Sequence, residues 1–192
     1  MIARTHDVAA ATALLAFVLV NPIHDITLAT AVTALIANQI GGIAPDIDQP
    51  TAPFWRNLPI GGIFGKIIGR SLGGHRFLSH SVLGLAIFGF ACYWLLNLLQ
   101  PIMPRVDNGW VWWSFMIGMV SHLIMDSFTK EGVPWLLPIP IKFGFPPLRR
   151  LRITTGKMAE HFIVLPLLVG IGVWLFASHY VQINGIIDQF HR

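Results

Sequence analysis

Long apolar runs alternate with shorter polar stretches along this chain, the spacing expected of helices that cross a bilayer. A hydrocarbon core takes about 20 mostly apolar helical residues, with about 17 as the lower limit. The windows Ile26 to Ala44, Ser81 to Leu99, Trp110 to Phe128 and Phe162 to Tyr180 meet this. A fifth run, Val8 to Val20, is short and reaches across only by borrowing its polar start, Thr5 to Asp7. The stretch after Arg4 does not read as a cleaved signal peptide, because it contains Asp7 and ends in Val20-Asn21-Pro22 without a small-x-small cleavage pattern. The pattern therefore predicts an all-α polytopic integral membrane protein with about five transmembrane helices, forming one membrane-embedded domain over residues 1–192.

Two of the connecting loops are long. Pro45 to His80 contains Ile60 to Leu72, whose glycines and spaced apolar residues predict an interfacial helix or turn. Thr129 to His161 is too rich in proline for a span, and its tryptophan and phenylalanines suit the headgroup region.

Composition strengthens the membrane reading. The chain is 54% hydrophobic and 11% charged, against about 25% charged residues in soluble domains, and its mean hydropathy is +0.65. The net charge of +4 is not a nucleic-acid signal, since the basic residues sit between apolar runs; membrane lipid is the expected partner and nucleic acid is not. Cys92, the single cysteine, excludes an internal disulfide or a multi-cysteine zinc site. With five spans and the N-terminus inside, Arg4, Arg56, Lys66, Arg70, Arg76, Lys130, Lys142, Arg149, Arg150, Arg152 and Lys157 fall on one side, and only Arg105 and Arg192 on the other. Positive charge collects on the cytoplasmic side, so the N-terminus is expected to be cytoplasmic and the C-terminus outside.

The ionisable residues at the ends of these runs are costly in a membrane and usually mark function. His6 opens the first span, Asp46 and Asp48 follow the second, and His75 and His80 lead into the third. His122 and Asp126 lie near the end of the fourth, and Glu160 precedes the fifth, so all eight are expected at one face. Residues 122 and 126 are four apart and share a helix face, where they can grip one ion or bridge two. Asp46 and Asp48 would project the same way from an extended turn. A turn at Phe77 to Ser79, with Ser79 capping the third span, would bring His75 and His80 together. Imidazole and carboxylate together suit zinc, manganese or iron rather than calcium.

In order along the chain, Pro45 to Asp48, His75 to Ser81, Ser121 to Thr129, Gly132 to Pro138 and Gly156 to Glu160 resemble the blocks of the YdjM-like membrane-bound metal-dependent hydrolases, described as LexA-regulated in some bacteria. Phe77, Leu78 and Ser79 stand where that pattern would have Gly-Phe-Thr. The spacing of His122 and Asp126 is also distantly similar to that of zinc-dependent phospholipase C and P1-type nucleases. These resemblances imply a hydrolase of the bacterial inner membrane, with two or three zinc ions activating water against a phosphoester or lipid substrate, a phospholipid among the candidates. His6, Asp46, Asp48, His75, His80, His122, Asp126 and Glu160 would be ligands. Asp48 or Glu160 would serve as general base, and Arg76 or Lys157 would neutralise a phosphate oxygen. The apolar loop Val133 to Pro147 would form a lip for a lipid head. The competing readings are a metal-ion transporter or sensor, and a structural membrane protein stapled by metal. Oligomeric state is not legible.

Overall fold

The computed structural model describes all residues except 22–24, 57, 75, 140 and 191–192. Its order is α1 (Ala3–Val20), α2 (Leu28–Ile43), a 3-10 turn (Ala44–Asp48), a single turn α3 (Pro53–Arg56), α4 (Gly61–Ser71), α5 (Val82–Leu99) and α6 (Asn108–Ser127). A π-helical turn (Glu160–Val164) then leads into α7 (Leu165–Ser178) and α8 (Tyr180–Gln189). Among the described residues there is no β-strand, only two isolated bridges, Thr129 with Ile153 and Val133 with Phe143. The fold is all-α, and Ala3–Val20, Leu28–Asp48, Val82–Ile102 and Glu160–Ser178 are each long and apolar enough to cross a membrane.

The remaining expected span, α6, is 20 residues long but more polar, carrying Ser114, Ser121, His122 and Asp126. All four are buried, because α6 is the central helix, flanked by α1, α2 and α5. Burial among helices, rather than contact with lipid, is what lets it hold these groups.

The crossing of α2 and α6 is close because both helices are stripped of side chain there. A Cβ on Gly41 would stand 2.1 Å from the Phe115 carbonyl oxygen, and one on Gly118 would stand 2.1 Å from that of Asn38. Small residues admit this approach in membrane helices, and Asn38 Nδ2 adds a 3.1 Å hydrogen bond to the Ser114 carbonyl. Ala34, Ala37, Val111, Phe115 and Met119 fill the same contact.

The expected interfacial segment is α4. Its buried face is Gly61, Gly65 and Gly69, while Ile63, Phe64, Lys66, Ile67 and Arg70 are exposed. Glycine is needed at 69, where a Cβ would lie 2.3 Å from the Asp48 carbonyl oxygen. The helix thus rests backbone to backbone on the turn that carries the aspartates, with its apolar side outward.

Candidate metal centre

Five expected site residues converge at one end of the bundle. His6 comes from the first turn of α1, Asp46 from the turn after α2, His80 from the residues before α5, and His122 and Asp126 from the last turns of α6. His6, His80, His122 and Asp126 are all but inaccessible, and the Asp46 side chain is 22% exposed. Two sets of ligand atoms come together here: His6, His122 and Asp126, and Asp46, His80 and His122.

The helix crossing sets His122. Its Nδ1 lies 2.6 Å from the Gly42 carbonyl oxygen, so that nitrogen carries the proton. Nε2 is left as an acceptor and makes no hydrogen bond. Metal-binding histidines are commonly fixed this way. Asp46 Oδ1 lies 3.7 Å from Nε2 of both His80 and His122, and Asp126 Oδ2 lies 3.7 and 3.8 Å from the same two atoms. Ligands about 2.0–2.2 Å from a tetrahedral zinc stand about 3.3–3.6 Å apart, so this spacing fits an ion with slight contraction. His6 stacks on His122 with ring centroids 3.7 Å apart. Its Nε2 is 3.4 Å from Asp126 Oδ1, yet neither ring nitrogen makes a hydrogen bond.

Asp46 and Asp48 do not project together. Ala44–Asp48 forms a 3-10 turn, with Pro45 in its first turn, where an extended one was expected, and residues two apart in such a turn point in different directions. Asp46 faces the ligand atoms. Asp48 is buried behind His80, with Oδ2 3.3 Å from His80 Nδ1, and it accepts hydrogen bonds from the Arg76 N–H (2.9 Å) and the Ser79 hydroxyl. This is the carboxylate–histidine arrangement that orients an imidazole towards metal. The expected turn at Phe77 to Ser79 also shifts. Leu78–His80 forms the 3-10 turn, Ser81 caps α5 by accepting the Gly84 N–H at 3.0 Å, and the Ser79 hydroxyl is spent on Asp48 and His80.

Glu160 is buried but joins neither ligand set. Its two oxygens accept the Ile2 and Gly156 N–H groups, each at 2.7 Å, tying the loop before α7 to the start of the chain. Arg76, at φ 57°, is buried too. Its guanidinium reaches Asp126 Oδ2 at 2.6 Å and Thr129 Oγ1 at 2.7 Å, with Glu131 3.4 Å away. The Met1 amino group pairs with the other Asp126 oxygen. Lys157 is exposed. His75 lies outside the described residues.

Sequence reasoning gave Ser79 a capping role rather than its support of Asp48, and it overlooked Thr129 and Glu131, which contact Arg76, because polar residues in a polar loop carry no pattern of their own. It also passed over Asp7 as a ligand-end residue, although an acid inside an apolar run was the available signal. The pocket beside Asp46, about 400 Å³, is walled by Ile43, Phe54 and Leu58. No described residue of the Val133 to Pro147 loop lines it; the loop packs on the helix ends, with the Trp135 carbonyl accepting the Val82 N–H at 3.0 Å and Trp135 Nε1 donating to Ser127 at 2.9 Å.

A helical membrane protein with histidines and aspartates gathered at one end, able to hold a metal ion, is the class these features define. The chain belongs to the family described as YdjM inner membrane protein, which matches residues 1–184. It is 30% identical to the inner membrane protein YdjM of Escherichia coli (strain K12) over 164 residues, covering 78% of this chain and 74% of that protein. The Shigella flexneri protein of the same name matches to the same extent. An uncharacterized protein of Bacillus subtilis (strain 168), YvsG, is 30% identical over 127 residues, 65% of this chain and 67% of its own. No solved structure matches the chain.

Proposed function

We propose that this is a membrane-bound zinc-dependent hydrolase whose metal sits among Asp46, His80, His122 and Asp126. The observation that carries the reading is His122 Nε2, buried and without a hydrogen bond, facing two carboxylates and a second imidazole at 3.7–3.8 Å or within ligand reach. Leaving such an atom unpaired is costly unless a ligand completes it. Both ligand sets share His122, and with Nδ1 committed to Gly42 only Nε2 remains, so one ion is favoured over the two or three implied by the phospholipase likeness.

When bound, the ion would lower the pKa of a water to about 7 and supply the nucleophile. Hydrolysis then adds the water oxygen to the electrophilic phosphorus or carbonyl carbon and breaks its bond to the leaving oxygen, which takes a proton. Asp46 is the exposed member of the set and faces the pocket, so it is the group placed to hold the proton in transit. Asp48 acts behind His80 as its orienting partner, and Arg76 holds Asp126 in place. The distribution of eleven cations against two supports a cytoplasmic location for this end.

A transporter using these ligands would hold its ion near the bilayer midplane, beside broken helices. Here the carboxylates and His80 lie at helix ends, which favours chemistry at the membrane surface. Purified protein should carry about one zinc per chain by elemental mass spectrometry, and His122→Ala with Asp126→Ala should reduce it to background. Head-group release from a lipid panel should stop on chelation. Unchanged metal in the double variant would overturn the site. Zinc flux into proteoliposomes without hydrolysis would overturn the enzyme in favour of transport.

A further inference from the structure

Apart from Asp46, the ligand set is sealed by protein. Asp46 also lines a pocket, and the rest of that pocket has an unusual chemistry. Among the described residues that line it, the walls are apolar, none is lysine or arginine, and the one other ionisable group is Asp7 of α1. The Asp7 carboxyl group makes no hydrogen bond and no ion pair with any described residue; only its backbone carbonyl is used, by Gln39. A half-buried acid on a candidate span without a partner is costly and calls for one. Phe54 and Leu58 at the pocket wall, and Ile60 beyond them, are exposed large apolar residues, and an amphiphile would cover them.

We propose that this pocket receives the head of a membrane amphiphile and that Asp7 accepts a hydrogen bond from it, selecting heads that carry a hydroxyl or an ammonium N–H. This rests on the hydrolase reading for the bond that is broken, but the recognition step stands on the pocket. An anionic head end has no cation to meet there, and its phosphoryl group belongs at the ligand set. A quaternary ammonium has no donor to offer. Asp7 is therefore a specificity residue rather than a ligand, and neither set of converging ligand atoms includes it.

The test uses the full chain, zinc-loaded, in vesicles of equal phosphatidylethanolamine, phosphatidylglycerol and phosphatidylcholine, all with the same acyl chains. Lipid retained on the protein is read by native mass spectrometry, and head-group release is read separately. The first two lipids should be retained about tenfold over phosphatidylcholine, the value of one hydrogen bond to a charged acceptor. Asp7→Leu should bring that ratio to about one with zinc content unchanged. Where that variant does not fold, Asp7→Asn keeps the shape and should lower the ratio several-fold. No preference in the parent, an unchanged ratio in the variant, or loss of zinc on Asp7 substitution would each overturn the proposal. A donor-selective, Asp7-dependent retention without any hydrolysis would uphold the pocket and overturn the hydrolase reading instead.

Discussion

The two ends of this bundle bury polar groups in opposite ways. At the end away from the ligands, Thr27 caps α2 by accepting the Thr30 N–H at 3.1 Å, and its hydroxyl donates to the Arg105 carbonyl at 2.9 Å. The Thr30 hydroxyl accepts the Asp107 N–H at 3.0 Å, and Asp107 accepts the Gly109 and Trp110 N–H groups at the start of α6. Among the described residues there, the Asn108 side-chain oxygen is the one buried atom left over. At the ligand end, both nitrogens of His6 and Nε2 of His122 go without a hydrogen bond while the carboxylates of Asp46 and Asp126 crowd in. Both clusters are polar and set in an apolar frame, but the first is nearly complete as folded and the second is not. A satisfied network welds a loop to a helix, whereas an unsatisfied one is a site awaiting its ligand.

The sharpest way to break this comparison is to remove metal. A ligand present at a thousand times its dissociation constant stabilises the protein by about 4 kcal/mol, and chelation should withdraw that at the ligand end alone. Thermal unfolding in detergent should shift down on chelation and return with zinc. A melting temperature indifferent to chelator would mean that the ligand end, like the other, is complete without an ion.

A smaller effect should follow from Asp48→Asn. Asp48 touches His80 from behind and takes the Ser79 hydroxyl and the Arg76 N–H. Removing its charge leaves every proposed ligand in place but weakens the imidazole's support, which typically lowers metal affinity 10–100-fold. Competition with a fluorescent chelator measures this. A variant losing zinc as completely as the His122 and Asp126 double variant would show Asp48 to be a ligand itself.

Much of this contrast was legible in the chain before any coordinates. Polar residues at the ends of apolar runs must share a bilayer face, so His6, Asp46, His80, His122 and Asp126 could be gathered by counting spans. The i, i+4 spacing put His122 and Asp126 on one helix face, where they are found. The division of labour was not legible. Whether Asp46 or Asp48 faces the ligands depends on Ala44–Asp48 winding as a 3-10 turn rather than an extended one. The service of Glu160 depends on backbone N–H groups at Ile2 and Gly156, which no side-chain pattern reveals. The central place of α6 was hidden as well, because a polar span and a buried polar helix read alike until neighbours are known.

The smallest expected effect sharpens the comparison from the other side. Thr27→Ala removes the cap of α2 and the bond to the Arg105 carbonyl. Losing such a cap costs about 1 kcal/mol, and the exposed position lets water replace part of the bond. Stability should therefore fall slightly, while zinc content and chelator sensitivity stay as in the parent. The residue lies at the opposite end of α2 from Gly42, whose carbonyl fixes His122, so any loss of metal would have to travel the whole helix. If zinc binding fell with Thr27→Ala, the two ends would be one coupled unit, and the distinction between a welded end and a waiting one would fail.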